Sequence, residues 1–215
     1  MLMTMRACTE AARALACVAA AASDAGHHAG DEAVRRENMA VYEFLVPIVK
    51  GWSTEMSLEV ASLGVQVHGG MGFIEETGAA QYYRDARILT IYEGTTAIQA
   101  NDLVGRKTAR DGGAVARALL ARVRDTEAQL AGRGGDLGQI GTRLAAARAA
   151  LEETVEFVLG AFKADERAVF AGSVPYLKLA GIVLGGWQMA RAALAADAML
   201  KAGDGDARFL AAKIA

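Results

Sequence analysis

The sequence predicts an all-α protein. Three observations lead there. Two prolines stand against long alanine-rich stretches, which favours helix over a sandwich or barrel of short strands. Leu137, Ile140, Leu144, Ala147, Leu151, Val155, Val158 and Phe162 recur every three or four positions, the spacing of one buried helical face. A chain of 215 residues, 53% hydrophobic and 22% charged, has the material for one or two cores.

Taken in order, residues 2–23 form a first helix, and Ser23 to Gly30 interrupts it with glycines and histidines. A second helix runs from about Asp31 to His68, with acidic residues at its positive end. Pro47 should bend it, because no amide is available to bond the preceding turn. Gly69 and Gly70 then stop it. A short helix from about Thr77 to Thr90 leads to Ile91, Tyr92, Glu93 and Gly94, after which Thr95 or Thr96 caps a helix reaching Lys107. Thr96 and Gln99 have the spacing of a capping box.

The polar segment Thr108 to Gly113 is the best internal boundary, dividing the chain into domains 1–107 and 108–215. Beyond it, helices are expected over 114–131, 137–162 and from about Val174, where Ser173 and Pro175 make a start signal; the three should pack antiparallel. Ala207 to Ala215 opens a further helix without a stop signal, and the first helix has no capping residue before it. The chain therefore reads as a piece cut at both ends, with an incomplete extension.

Charge and composition exclude several function classes. A net charge of −2 offers no basic excess for phosphate backbones, so nucleic acid is not an expected partner. Cys8 and Cys17, nine residues apart on one helix, face opposite ways about 13 Å apart along its axis and cannot pair. Two reduced thiols fit a cytoplasmic location. Arg6 before the alanine run 14–22 mimics a signal peptide, but Glu10 and Arg13 spoil that reading. Leu177 to Leu200 is the most apolar stretch, yet Lys178, Arg191 and Asp197 would each cost about 2–3 kcal/mol at mid-bilayer. It reads as a buried helix and not a membrane span. No metal site is expected: none of His27, His28 and His68 has a glutamate at the spacing a di-iron bundle needs.

Two motifs carry chemistry. The first is Gln66, Val67, His68, Gly69, Gly70, Met71, Gly72 and Phe73. Its plain reading is a left-handed helix terminus; its functional reading is a turn whose amides approach a pyrophosphate closely. Neither the spacing nor a preceding strand supports a dinucleotide-binding fingerprint. The second motif is Tyr83, Arg84, Asp85, Ala86, Arg87 and Ile88, followed by Ile91, Tyr92, Glu93, Gly94, Thr95, Ile98 and Gln99. Glu93 has a plain reading too, as an acid placed near a helix amino terminus. Tyr92 reads equally as a half-buried aromatic with its hydroxyl at the surface. Arg84 and Asp85 are assigned ion pairing and no catalytic role.

Together, in this order and separation, the two motifs resemble the acyl-CoA dehydrogenase family. The resemblance implies a four-helix-bundle-like C-terminal domain of that family, followed here by a second helical bundle. The resemblance implies that Gln66, Gly69 and Gly70 reach the ADP portion of an FAD held mainly by a neighbouring subunit, and that Thr95 hydrogen-bonds the flavin. It implies that Glu93 is the catalytic base, taking the α-proton of an acyl-CoA thioester while the β-hydrogen leaves as hydride to flavin N5. The Glu93 backbone N–H and a ribityl hydroxyl would polarise the thioester carbonyl. Gly94 would leave room for the substrate and Tyr92 would line the acyl pocket. Electron-transfer flavoprotein would be the electron acceptor, and the assembly a homodimer or tetramer. His68 stands where the family often has an apolar residue. The carboxylate at 93 separates the chain from branches that carry the base elsewhere, and the long extension resembles the 3-methylmercaptopropionyl-CoA dehydrogenase-like branch.

The family's amino-terminal helical domain and middle β-domain are not in this sequence, so the 215 residues alone are expected to be inactive. The competing expectation is a non-enzymatic helical interaction or assembly module derived from that family.

Overall fold

The computed structural model describes residues 1–214, and every regular element among them is helical. Helices α1 (Leu2–His28) and α2 (Glu32–Val67) form a long hairpin. Gly26 lies against Met39 and Gly64 faces Met5, so the two run antiparallel. Asp31 caps α2, its carboxylate accepting from the amides of Ala33 at 2.6 Å and Val34 at 3.3 Å. The helix continues through the buried Pro47 to Val67.

The first helix is longer than its sequence pattern predicts. Gly26 is helical because the Met39 backbone comes so near that an added Cβ would lie 3.2 Å from its nitrogen. His27 and His28 complete the last turn. The expected single helix over 77–90 is instead divided. A 3₁₀ turn at Glu75–Thr77 and Gly78, at φ +75°, precede α3 (Ala79–Ala86); another 3₁₀ turn, Arg87–Thr90, follows it. Helix α4 (Thr96–Asp102) gives way at Leu103–Ala109 to a π-helical stretch with one extra residue per hydrogen-bonded turn.

The remaining helices are α5 (Ala114–Leu130), α6 (Gly135–Ala161), α7 (Glu166–Ala171), α8 (Ser173–Ala202) and α9 (Ala207–Ile214). Helix α7 is absent from the sequence expectation, being too short to show a period; Asp165 caps it through the amide of Ala168 at 3.0 Å. Ion pairs Arg117–Glu156, Arg124–Glu152 and Glu127–Arg148 join α5 to α6 with falling partner numbers, which fixes their antiparallel sense. Contacts Thr126–Trp187 and Arg133–Asp197 rise together, so α5 and α8 run parallel.

Helix α8 organises the core. It is long and apolar enough to cross a membrane by length and composition, and 56% of its most apolar window is buried inside the fold. Buried residues occur all round it, including Leu177, Gly181, Leu184, Trp187 and Ala190. It packs on α1, α2, α4 and α6, and one contiguous apolar cluster extends from Ala11 to Ala193. The proposed boundary at 108–113 is thus bridged inside the fold. Thr108 is fully buried and shares a 2.9 Å hydrogen bond with the Tyr176 hydroxyl. Gly112 and Gly113, at φ +66° and +75°, make the turn itself.

The closest fit is that of Trp52 of α2 in a notch on α8. A Cβ at Gly181 would lie 2.1 Å from Trp52 Cγ, and one at Gly185 would lie 2.8 Å from Trp52 Cη2. Gly51 lets both Leu177 and Gln99 approach α2, since its Cβ would meet them at 2.6 and 3.1 Å.

Gly181→Ala is expected to destabilise the fold by about 1–3 kcal/mol through overpacking, despite a better helix former. Gly186→Ala, with open space at its Cβ on the same helix, should instead stabilise by up to about 1 kcal/mol. Urea midpoints of both variants measure the difference. A second prediction concerns Tyr176, whose phenol is pushed up to about 12 by burial, with Thr108 opposing the rise. As pH rises above the ordinary tyrosine value, the unfolded chain releases a proton that the fold retains, so stability falls between about pH 10 and 12. Tyr176→Phe should remove that component of the alkaline slope in urea titrations while costing about 1 kcal/mol at neutral pH.

Candidate active-site turn

The segment joining the 3₁₀ turn at Arg87–Thr90 to α4 carries Tyr92, Glu93, Gly94 and Thr95. Glu93 has φ +53°, the one non-glycine residue among those described with positive φ. Such a backbone costs about 1–3 kcal/mol and persists only where the surroundings hold it. Gly94 follows at φ +90°. The pair reverses the chain, projecting the Glu93 side chain into solvent. Among the described residues, the Glu93 N–H has no intramolecular hydrogen-bond acceptor.

Helix α2 is the platform under this turn. Lys50 Nζ donates to the Leu89 carbonyl at 2.5 Å and sits 5.3 Å from the centre of the Tyr92 ring. Glu55 accepts a hydrogen bond from the Thr96 hydroxyl. Gln99, packed over Gly51, points its amide back to the Glu93 carbonyl, 3.5 Å away. Lys50, Gly51 and Glu55 share one stretch of α2, so a single helix face supports the turn from end to end.

This arrangement corrects the expected capping. Thr95, not Thr96, is the N-cap of α4, its Oγ1 accepting from the Ile98 amide at 3.4 Å. The Thr96–Gln99 box does not form, because Glu55 takes the Thr96 hydroxyl and Gln99 faces Glu93. As a cap acceptor, the Thr95 hydroxyl still has its own proton to donate. Gly94 has a local reason beyond substrate clearance: a Cβ there would lie 2.7 Å from Gln99 Nε2. Tyr92 is half exposed.

The glycine element lies elsewhere. Gln66, Gly69 and Gly70 are all exposed at the end of α2. Gly69, at φ +62°, is the left-handed residue after the His68 C-cap, while Gly70 is not left-handed. A Cβ on either glycine would meet nothing within 4 Å, so their backbone faces open space. Gly72 is the sterically required glycine that the sequence reading did not single out: its Cβ would fall 2.2 Å from the Val65 carbonyl oxygen. The GGxG spacing was the available signal. From Glu55, beside the turn that carries Glu93, to Gln66 is eleven residues of helix, about 16 Å. The two motifs therefore do not converge on one point.

From the second motif, Arg84 donates to Glu75 at 3.0 Å, tying α3 to the segment after the glycines and holding the Glu75 carboxyl below its ordinary range. Large apolar side chains on this side are uncovered: Phe73 is 82% exposed and Tyr82 77%. Met71, Ile88, Ile91 and Ile98 are exposed as well. A cavity of about 560 Å³, lined by Met5, Met56, Val60, His68 and Tyr82 among others, opens between α1, α2 and α3. No group of three or more His, Cys, Asp or Glu side chains placed to hold a metal occurs among the described residues.

Comparison with known proteins accounts for both halves of the chain. Residues 1–107 match the family model "Acyl-CoA dehydrogenase, C-terminal domain", and residues 119–215 match "Acetyl-CoA dehydrogenase C-terminal like". The whole chain is 55% identical, over 215 residues, to 36% of a 3-methylmercaptopropionyl-CoA dehydrogenase of Ruegeria pomeroyi. It is 33% identical, again over its whole length, to 36% of the broad-specificity linear acyl-CoA dehydrogenase FadE5 of Mycobacterium tuberculosis. A 52-residue stretch, 24% of the chain, is 42% identical to 14% of the caffeyl-CoA reductase-Etf complex subunit CarC of Acetobacterium woodii. The chain spans about a third of the length of the first two relatives. By both of its domain matches and by these relatives, the chain belongs to the acyl-CoA dehydrogenase family, as the all-α C-terminal part of it.

Proposed function

We propose that this chain supplies the base-bearing part of an FAD-dependent acyl-CoA dehydrogenase that introduces an α,β double bond into an acyl-CoA thioester. The observation that carries the reading is Glu93 itself. One strained residue presents both a carboxylate and an unpartnered N–H, the two groups that removal of a thioester α-proton requires.

In this reading the Glu93 N–H donates to the thioester carbonyl oxygen, where negative charge grows as the α-proton leaves. The Glu93 carboxylate takes that proton. The β-hydrogen departs with its electron pair, leaving a trans-2-enoyl thioester. FAD, when bound, supplies the two-electron acceptor. Tyr92 borders the acyl chain, Gly94 keeps the approach clear, and Thr95 uses its free hydroxyl proton toward the flavin.

The open backbone of Gly69 and Gly70 fits contact with a pyrophosphate, with Gln66 beside it. Their separation from Glu93 along α2 supports two different flavins being served, one by each end, as in a homodimer or tetramer of this chain. The name of the A. woodii relative, a subunit of a complex with Etf, supports electron-transfer flavoprotein as the onward acceptor. We further assign residues 1–107 to the catalytic domain, residues 108–215 to an extension, and the whole to the cytoplasm.

Glu93 is exposed in this chain. A carboxylate in water is too weak a base for the reaction, and desolvation is what strengthens it. The uncovered Phe73, Tyr82, Ile88 and Ile91 support a surface that other domains close. The 215-residue chain alone is accordingly expected to purify without flavin absorbance and to show no acyl-CoA-dependent bleaching; a visible spectrum with substrate added checks this.

In a flavin-loaded polypeptide that includes the remaining domains, Glu93→Gln should retain FAD while slowing substrate-driven flavin reduction by about 10²–10⁴-fold, read by stopped-flow absorbance. Unchanged reduction in that variant would remove the base assignment and favour the helical assembly module.

A further inference from the structure

We infer that Lys50 is a positioning residue for the reaction, acting through the turn that carries Glu93; the inference rests on the reading of Glu93 as base. Three features of Lys50 distinguish it from an ordinary surface lysine. Its ammonium is held at both of its contacts by the segment leading into Glu93: the Leu89 carbonyl at 2.5 Å and the Tyr92 ring at 5.3 Å. No carboxylate lies within 4.0 Å of it among the described residues. Its side chain is partly withdrawn from water.

A partly desolvated ammonium is ordinarily matched to a carboxylate. Lys50 instead exchanges water for a backbone oxygen and an aromatic face, which fixes the position of two residues of one turn at once. Tyr92 is joined directly to Glu93, so its ring and backbone set where the following strained φ begins. On the other side Gln99 closes over Gly94 and reaches the Glu93 carbonyl. Lys50 thus holds the approach to the turn and Gln99 its exit. Without the Lys50 contacts, the unfavourable φ at Glu93 is free to relax, and the N–H and carboxylate lose their common orientation. A displacement of about 1 Å at such a point is worth on the order of 10²-fold in rate.

The test uses the flavin-loaded, longer polypeptide that contains this chain, in four forms: unaltered, Lys50→Met, Lys50→Arg and Glu93→Gln. Methionine keeps the apolar stem and loses both the charge and the donor; arginine keeps both. Positioning predicts that Lys50→Met slows stopped-flow flavin reduction about 10- to 100-fold. Flavin content and thermal midpoint should be retained, and the substrate concentration giving half-maximal reduction rate should change by less than about threefold. Lys50→Arg should recover most of the rate. Wild-type reduction in Lys50→Met, or a rate loss that only tracks loss of flavin or folded protein and is not rescued by arginine, overturns the positioning role. Glu93→Gln separates the two failures. If it abolishes fast reduction while Lys50→Met does not, the base reading stands and the Lys50 inference alone falls. If Glu93→Gln reduces flavin normally, the base reading falls and the Lys50 inference falls with it.

Discussion

The fit of Trp52 into the glycine notch of α8 is the constraint on which the geometry of this chain depends. An indole on a helix normally keeps a neighbouring helix at the usual 8–10 Å. Gly181 and Gly185 remove the side chains that would stand in the way, and the ring enters the surface of α8. One helical turn along, Leu177 occupies the hollow left by Gly51. These contacts fix the rotation and height of α2. That position in turn determines where Lys50, Gly51 and Glu55 meet the turn bearing Glu93. Burial of a large aromatic in a close-packed interior leaves little freedom to slide, so precision at the core is passed along a stiff helix to the surface.

The candidate active-site turn itself is marginal by comparison. Its own hydrogen bonds are few and one is long, while Glu93 occupies a conformation that an L-residue avoids. The turn persists because its neighbours are anchored: Leu89 and Tyr92 on Lys50, Thr96 on Glu55, and Thr95 across the first turn of α4. Each anchor alone contributes on the order of 1 kcal/mol. Together they are enough to offset the backbone cost. The extra residue accommodated by the π-helical stretch at Leu103–Ala109 lies just beyond α4, where Phe170 presses on Gly105. Helix α4 is therefore held short between a fixed turn and a widened one.

Much of this was legible in the sequence, for identifiable reasons. The ends of α2 were marked by Asp31 and by Gly69, whose roles are local: a capping oxygen and a left-handed residue. Helix α6 announced itself through strict apolar spacing. What the sequence hid was set by partners far along the chain. Gly26 stays helical because Met39 packs on it, and Thr96 abandons its capping box because Glu55, 41 positions earlier, competes for the hydroxyl. Thr108 looked like linker and is buried against Tyr176. At the candidate site, the identity of Glu93 and its neighbours was readable from the motif. Its positive φ and the roles of Lys50 and Gln99 were not, since no local pattern encodes a contact between positions 50 and 92.

The same long-range contacts bear on residues 108–215. An extension joined only by the turn at Gly112 and Gly113 would be free to move without consequence for the residues before it. This one is interleaved. Helix α8 receives Trp52, Lys178 pairs with Glu59 at 2.9 Å, and Tyr176 closes on Thr108. All three attach to elements that bear on the Glu93 turn, and two attach to α2 directly. The exposed Lys178–Glu59 pair adds little by itself, but the buried contacts cannot be dissolved without vacating the notch around Trp52. Freed from α8, α2 would keep its hairpin with α1 and lose the contacts at Gly51 and Trp52 that press it against the later helices. The helices after Gly113 therefore bear on the stretch of α2 that carries Gly51, Trp52 and Glu59, although none of their described residues is hydrogen-bonded to the turn that carries Glu93.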